Sequence, residues 1–284
     1  MTHCRKRAFY SAARKEWVRM SITLPIALTV AGTDPTGGAG VLADIKSFQS
    51  RGVYGMAAVT SLTAQNTLGV QGAYNVPADF LDAQLESIFS DEVPHAMKSG
   101  MIATEEMMRV IKKYVEAYQM PFVIDPVMIS TSGDNLIDEE AIDYLRAELL
   151  PTALTVTPNI MEAEKLAGVN IDNEEDVKKA AKIFIEDIGV RSVIIKGGHL
   201  KGDAVDYLFE KDNEMKLSSA RVDTDHTHGT GCTFSAVITA ELARGRSLEA
   251  AFRTGKNYIT KAIQETPGLG KGNGPINHFA YEGE

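Results

Sequence analysis

Short apolar runs alternate with longer amphipathic stretches along most of the chain. Each run is apolar at successive positions and too short for a helix, which is typical of strands buried on both faces. The amphipathic stretches repeat apolar residues every three or four positions, as a helix with one buried face does. The pattern predicts strands over residues 26–31, 56–62, 96–101, 122–125, 154–157 and 193–196 and a hairpin between residues 204 and 217. It predicts helices that begin near residues 40 and 157–159 and that cover residues 78–90, 105–118, 139–149, 174–187, 231–243 and 248–265.

The order strand, helix, strand, helix predicts an α/β fold with a central, mostly parallel sheet and helices on both faces. Because the carboxyl ends of parallel strands share one edge, the polar segments that follow the strands should meet there. There is no repeat, linker or shift in composition after residue 20, so we expect residues 21–284 to form a single domain. Residues 1–20 carry six Lys and Arg residues against one acid, and we expect a disordered basic extension there.

The composition narrows the class of partner. The chain is 44% apolar and 24% charged, which is ordinary for a globular protein, and its net charge is -9. Such an acidic chain lacks the basic footprint of a nucleic-acid binder, and no apolar run approaches the roughly 18 residues of a membrane span. Its two cysteines, Cys4 and Cys232, are too few for a disulfide framework. We therefore expect small-molecule partners and a reducing, cytoplasmic compartment.

Residues 226–235 form a glycine-punctuated turn that runs into a predicted helix. Gly229 and Gly231 let the backbone N–H groups turn into one concavity, to which Thr230 adds a hydroxyl. A helix N-terminus at such a concavity predicts an anion site. The same dipoles favour a thiolate at Cys232, so we expect its pKa to be lowered and its sulfur to accept a proton from a hydroxyl. The alternative is a tight turn followed by a core cysteine.

A second glycine loop, at residues 38–43, fits the loose dinucleotide pattern G-x-G-x-x-A. That pattern also requires an acidic residue about 20 positions later, and neither Asp nor Glu occurs between Asp44 and Asp79. A hydride-transfer enzyme is rejected on this ground. The chain also lacks the phosphate-loop pattern G-x-x-x-x-G-K-[ST]. If the protein uses ATP, residues 229–232 must hold its phosphates.

Further polar side chains follow predicted strands. Asn159 and Glu162 have the spacing of a helix N-cap and its capping-box partner, and the same pair could hold Mg²⁺ through water. Lys196 ends an apolar strand before two glycines, where it is either solvated or directed toward the shared edge. Gln65 and Asn66 offer amides that suit a ring nitrogen with an adjacent amine, and they equally suit a turn.

Taken in order, the segments of the chain are similar to the motifs of one enzyme family. The similar segments are 31–34, 37–40 with 43–44, 64–67, 98–101, 125–128, 157–159 with Glu162, 195–199, 227–235, and 274–275 with His278. Over about residues 26–279 the chain therefore resembles the hydroxymethylpyrimidine/phosphomethylpyrimidine kinases of the ribokinase-like superfamily.

The resemblance implies ATP-dependent phosphorylation of 4-amino-5-hydroxymethyl-2-methylpyrimidine, and then of its monophosphate to the diphosphate, in thiamine biosynthesis. It further implies that Gln65 hydrogen-bonds the aminopyrimidine. Asp44, Met101 and Val127 would line the pocket around it. Relatives are commonly dimers, so the resemblance also implies a homodimer.

The resemblance also implies a phosphate side of the site. Its residues would be Asn159, Glu162, Lys196, Gly229, Thr230, Gly231 and Cys232. Gly229–Gly231 would form the anion hole, and Cys232 would stand where many ribokinase relatives have an aspartate base. Asn159, Lys196 and Thr230 would bind ATP, and Glu162 would hold Mg²⁺ through water. Because phosphoryl transfer needs positioning and charge neutralisation, these residue types suit it.

Two alternatives stay open. Pyridoxal kinases share the Gly-x-Gly-Cys turn, and a pyridoxal aldehyde could add to Cys232, although residues 64–67 favour the pyrimidine. The other alternative is a vitamin-binding protein that keeps the fold and has no catalytic activity. Turnover of the two alcohols would separate the kinases, and any turnover would exclude the binding protein.

Overall fold

The structure is a computed structural model and describes residues 24–128, 136–198 and 202–281. The basic extension predicted at residues 1–20 lies outside these ranges. The strands are β1 (Ile26–Ala31), β2 (Tyr54–Val59), β3 (Ser61–Asn66), β4 (Gly69–Asn75), β5 (Ala96–Ser99), β6 (Phe122–Ile124), β7 (Thr155–Val156), β8 (Ser192–Lys196), β9 (Ala204–Glu210) and β10 (Asn213–Ser219).

One sheet carries eight of these strands, in the order β10-β9-β8-β7-β6-β5-β1-β2. From β2 across to β8, every neighbouring pair runs parallel. The predicted hairpin is β9–β10, which extends the sheet antiparallel to β8. The central, mostly parallel sheet expected from the alternating pattern is therefore confirmed.

Helices cover both faces of this sheet, as predicted. They are α1 (Gly40–Ser50), α2 (Ala78–Phe89), α3 (Glu105–Tyr118), α4 (Glu139–Tyr144), α5 (Ile160–Ala167), α6 (Glu174–Lys182), α7 (Thr230–Ala243) and α8 (Leu248–Gln264). One buried cluster joins one face of the sheet to α2–α6, with Leu81, Met107 and Phe184 among its members. A second cluster joins the other face to α1, α7 and α8. Both α4 and α6 continue into a π-helical turn, so the long helices predicted at 139–149 and 174–187 are each present in two parts.

The helix after the glycine turn differs from its prediction. It was expected to be amphipathic, but every residue from 233 to 243 of α7 is buried. Its neighbours are α1, α8 and the strands β1, β5 and β6. A helix that is enclosed on all sides has no solvent face to give the sequence a polar stripe. This central position points the N-terminus of α7 at the carboxyl ends of the strands.

The strand predicted over residues 56–62 is wrong, because two strands divide that stretch. The chain leaves the main sheet at Thr60, whose N–H donates to the Ala31 carbonyl. It then forms β3, which pairs only with β4 in a separate two-stranded sheet. On β3, Leu62 is 52% exposed, whereas Gln65 is half-buried. The polar face of this hairpin points inward, so the usual hydrophobic signal of a strand is inverted.

Within the described part of the chain, none of the helices has both the length and the apolar character that crossing a bilayer requires.

Candidate active site

The polar segments that follow β1, β5, β6, β7 and β8 meet at one edge of the sheet, where they line a cleft of about 1080 Å³. The β3 strand and the N-terminus of α7 also contribute to its walls. The predicted site residues in its lining are Gln65, Met101, Val127, Asn159, Glu162, Lys196, Gly229, Thr230, Gly231 and Cys232. Their roles stay predictions, but ten side chains and glycines from distant parts of the sequence share one cleft.

The turn before α7 is built around two glycines. Gly229 has a φ of 82° and is the N-cap of α7, and a Cβ there would lie 1.8 Å from the carbonyl oxygen of Gly38. A Cβ on Gly231 would lie 3.3 Å from Nζ of Lys196. The first turn of α7, whose N–H groups have no partner within the helix, therefore lies close to a lysine. Together they make a positive concavity that suits a phosphate group.

Cys232 is half-buried and lines the cleft beside this concavity. The prediction of a lowered pKa is wrong. Burial raises the pKa of the Cys232 thiol to about 12, although the charge of Lys98 and a hydrogen bond from the backbone N–H of Gly40 act in the opposite direction. The thiol is therefore protonated at neutral pH, because removing its sulfur from water penalises the thiolate more than these partners favour it.

Asp44 is the one predicted site residue outside the lining of the cleft. Its side chain is fully buried on α1 and binds Nζ of Lys98 at 2.8 Å through Oδ1. The Thr29 hydroxyl donates to its other oxygen, Oδ2, at 2.6 Å. The prediction that Asp44 lines the acceptor pocket is therefore corrected. An acidic residue near the start of a helix is easily assigned to ligand binding. No sequence signal reveals that the side chain of Asp44 is instead paired with a lysine on a strand.

Asp125 and Lys196 form a second ion pair, and this one faces the cleft. The Lys196 ammonium lies 3.1 Å from Oδ1 of Asp125, which also accepts a hydrogen bond from Thr157 at 3.3 Å. Burial disfavours the charge of Lys196, but Asp125 and Glu162 outweigh it and raise the lysine pKa. The resemblance assigned no role to Asp125, which lies in the similar segment 125–128. Asp125 directly follows a strand, as the other polar residues of the cleft do, and this position was the signal that could have identified it.

Glu162 and Asn159 form the predicted capping box at the start of α5. The Asn159 side chain accepts from the Glu162 N–H at 2.9 Å, and Oε2 of Glu162 accepts from the Asn159 N–H at 2.8 Å. Burial, opposed by Lys196 and reinforced by Asp125, raises the pKa of Glu162 to about 7. Among the residues that the structure describes, no group of three or more His, Cys, Asp and Glu side chains could hold a metal. One carboxylate and one amide are donors of the kind that hold Mg²⁺ when phosphate oxygens and water supply its other ligands.

The lining of the cleft also contains a histidine and an aspartate to which the sequence assigned no role. Nε2 of His228 lies 2.7 Å from Oδ2 of Asp34 and 3.5 Å from Nε2 of Gln65. Burial would raise the pKa of Asp34, but hydrogen bonds from His228 and Thr36 lower it below its usual value. His228, which directly precedes the anion concavity, thus contacts both Asp34 and the amide expected to bind the acceptor. Asp34 and His228 lie in the similar segments 31–34 and 227–235, but only the fold shows that they are partners.

A cleft at the strand tips, with a helix N-terminus, a lysine and buried carboxylates in its walls, defines a phosphotransferase of the ribokinase-like fold. The sequence profile of the phosphomethylpyrimidine kinase family matches residues 34–277. The chain is 55% identical over 259 residues to the hydroxymethylpyrimidine/phosphomethylpyrimidine kinase of Staphylococcus aureus, covering 90% of this chain and 94% of the relative. The chain therefore belongs to the phosphomethylpyrimidine kinase family, and it is a kinase that transfers a phosphoryl group from ATP to a small molecule.

Solved structures agree with the fold. The ADP complex of Bacillus subtilis pyridoxal kinase has a TM-score of 0.83 and 39% identity, covering 90% of this chain and 98% of that one. The phosphomethylpyrimidine kinase of Clostridium difficile has a TM-score of 0.75 and 39% identity, covering 84% of this chain and 99% of that one. Structural likeness alone thus includes both kinds of vitamin kinase.

Proposed function

We propose that the protein phosphorylates 4-amino-5-hydroxymethyl-2-methylpyrimidine with ATP, and then phosphorylates the monophosphate to the diphosphate, in thiamine biosynthesis. The observation that carries this proposal is that Gln65 and the anion concavity at Gly229–Cys232 line the same cleft. An amide that both donates and accepts suits the ring nitrogen and amino group of the pyrimidine. Membership of the phosphomethylpyrimidine kinase family supports the same substrate.

The acceptor binds at the end of the cleft that contains Gln65. Met101 and Val127 supply apolar walls for the flat ring, and His228 is close enough to restrict the orientation of Gln65. Held in this way, the hydroxymethyl group points along the cleft toward the first turn of α7. Such positioning turns a bimolecular transfer into one between two groups already in line.

On the phosphate side of the cleft, the anion concavity at Gly229–Gly231 and the ammonium of Lys196 hold the phosphates of ATP. The acceptor oxygen forms a bond to the γ-phosphorus while the bond from that phosphorus to the bridging oxygen breaks, and ADP leaves. Because the transition state is loose, the alcohol keeps its proton until late in the step, and a phosphate oxygen then receives it. Cys232, protonated at neutral pH, orients the hydroxyl and does not act as a strong base.

We further propose that Mg²⁺ binds with ATP, and that Glu162 and Asn159 contact it through water. The ion would neutralise phosphate charge, which is what the transfer needs most from a metal. The Glu162 carboxylate already accepts from the backbone N–H groups of Asn159 and Met128, so a contact through water suits it better than direct ligation. We also propose a cytoplasmic homodimer without nucleic-acid or membrane partners; light scattering of the purified protein checks its mass.

A pyridoxal kinase is the second candidate, favoured by the likeness to the Bacillus subtilis enzyme. The deciding experiment supplies purified protein and Mg-ATP with either the pyrimidine alcohol or pyridoxine, and resolves the products by mass. We expect the pyrimidine monophosphate first, the diphosphate later, and turnover of pyridoxine at least tenfold slower. The Cys232→Ala variant should lose almost all turnover while keeping its melting temperature.

The assay can also refute the proposal. Faster turnover of pyridoxine would identify the pyridoxal kinase. No product from either alcohol, together with measurable binding of the pyrimidine, would identify the vitamin-binding protein. Unchanged turnover in Cys232→Ala would remove that residue from the mechanism.

A further inference from the structure

A group of buried polar side chains lies beneath Cys232, outside the cleft, and the transfer described above does not use it. The Lys98 side chain on β5 and the Asp44 side chain on α1 are both 0% exposed. Nζ of Lys98 lies 2.8 Å from Oδ1 of Asp44 and 3.4 Å from the carbonyl oxygen of Cys232. The Ser235 hydroxyl donates to the same carbonyl at 3.0 Å. A fully buried ammonium is thus attached to the first turn of the helix that forms the anion concavity.

An ion pair in this position is not explained by stability. Removing two charges from water is costly, and apolar side chains of similar volume would pack there at no such penalty. What an apolar pair could not do is bind the Cys232 carbonyl or apply a charge to the sulfur. Lys98 does both, since its ammonium reaches the Cys232 backbone and is among the groups that act on the thiol.

We propose that Lys98 and Asp44 are positioning residues for Cys232: Lys98 fixes the first turn of α7 and places positive charge beneath the sulfur, and Asp44 limits that charge. This inference rests on the proposed function in that Cys232 is taken to contact the acceptor hydroxyl. In this proposal Asp44 acts beneath Cys232 and does not line the acceptor pocket.

The two members of the pair act on the sulfur with opposite signs. Burial is the largest influence on the pKa of Cys232 and raises it; Lys98 lowers it, whereas Asp125 and Asp44 raise it further. These groups come from β5, α1 and the segment after β6. Lys196 on β8 is a further charged group that interacts electrostatically with Cys232. Removing Lys98 should therefore make the thiol harder to ionise, and removing the charge of Asp44 should make it easier.

The test measures the rate at which iodoacetamide alkylates Cys232 between pH 7 and 10, followed by mass. Only the thiolate reacts, so the rate reports how readily the sulfur ionises. Cys4 is the other cysteine of the chain, and a Cys4→Ser background removes its signal. At a given pH we expect Lys98→Met to react about tenfold more slowly and Asp44→Asn about tenfold faster, as a shift of one pKa unit would give. Lys98→Arg, which keeps the charge, should stay within about threefold.

A matched control comes from the other end of α7. Arg51 and Glu241 form a buried ion pair at 2.7 Å, so Glu241→Gln breaks a comparable pair in the same helix, far from its N-terminus. Its alkylation rate should equal that of the parent. A purely structural role would loosen the first turn in both pair variants and move both rates in the same direction, and that result, or no change in either, overturns the proposal.

Two further features keep the test decisive. If Lys98→Met does not fold, Lys98→Gln takes its place, because acceleration in Asp44→Asn supports the proposal only beside a slower reaction of a lysine variant that has lost its charge. The measurement needs neither ATP nor pyrimidine, so its result stands apart from the turnover assay. If turnover is observed, both pair variants should lower kcat for the pyrimidine while KM for ATP changes by less than about twofold.

Discussion

Two lysine–aspartate pairs interact electrostatically with Cys232 and differ in their exposure. Lys98 and Asp44 are 2.8 Å apart with side chains that are both 0% exposed, whereas Lys196 and Asp125 are 3.1 Å apart with side chains that are 15% and 2% exposed. The first pair is enclosed beneath the anion concavity, and the second opens onto the cleft. A lysine with an open face can turn toward an incoming phosphate, and an enclosed lysine can act only through its fixed neighbours.

The position of each lysine on its strand produces this difference. Lys98 is inside β5, in register with Thr29 of β1. Its side chain lies on the face of the sheet that α7 covers. Lys196 is the last residue of β8, where Gly197 follows and the sheet ends. The same residue type thus becomes a structural charge in one place and a candidate phosphate ligand in the other. The comparison predicts separate consequences for activity and stability.

The largest effect should come from the pair that faces the cleft. Lys196→Met removes a charge that meets the transferred phosphoryl group, and we expect kcat to fall about 1000-fold with the fold intact. Gly231→Asp, which places a carboxylate beside the Lys196 ammonium, should reduce turnover at least as much. Steady-state kinetics with the pyrimidine alcohol measure both.

The control for these variants is a third lysine–aspartate pair, Lys113 with Asp82, which is exposed on the surface of α3 and α2. Lys113→Met should leave kcat within about twofold of the parent. If Lys196→Met behaves like Lys113→Met, the distinction between the open pair and a surface pair is wrong.

The next prediction concerns stability. Here we expect the enclosed pair to matter more than the pair that faces the cleft. Lys98→Met leaves the Asp44 carboxyl enclosed without its cation, and we expect the free energy of unfolding to fall by about 3 to 5 kcal/mol. Lys196→Met should lower it by only about 1 to 2 kcal/mol, because Asp125 keeps hydrogen bonds from hydroxyl groups and borders the cleft. Urea denaturation of the two variants provides the comparison, and equal losses would mean that exposure does not separate the pairs.

The smallest effect should appear in the pH dependence of the open pair. Burial raises the pKa of Glu162, next to Lys196, to about 7, so this carboxyl is largely neutral at pH 6 and charged at pH 8. Apparent affinity for Mg²⁺ in the presence of ATP should therefore rise by up to about tenfold per pH unit below pH 7 and then level off. In Glu162→Gln that rise should be absent. A titration of activity with Mg²⁺ at each pH measures it.

The raised pKa of Glu162 also makes the free energy of unfolding depend on pH. Between about pH 4.5 and 7 the folded protein retains a proton on Glu162 that the unfolded chain has lost. The free energy of unfolding attributable to this group therefore falls as pH rises through that window. Denaturation of the parent and Glu162→Gln at pH 5 and pH 8 isolates this contribution, and a parent whose stability rose more steeply than that of the variant would contradict it.

The local pattern of apolar and polar residues was sufficient to predict much of the fold. The helix predicted at 105–118 has the bounds of α3, because its apolar stripe is strong and Thr104 caps it by accepting from the Met107 N–H. The β3–β4 hairpin was missed because its apolar residues face outward. A sequence pattern assumes that polar residues face water, and here Gln65 faces a cleft instead.

The sequence by itself determined the alternating sheet, the glycine turn before α7 and the family to which the motifs belong, since each depends on residues close together in the chain. Only the tertiary structure decided the state of Cys232 and the position of Asp44. Both depend on Lys98, which is 54 residues from Asp44 and 134 from Cys232. The charge of a buried group is set by which groups surround it and how much water reaches it, and those are properties of the folded chain.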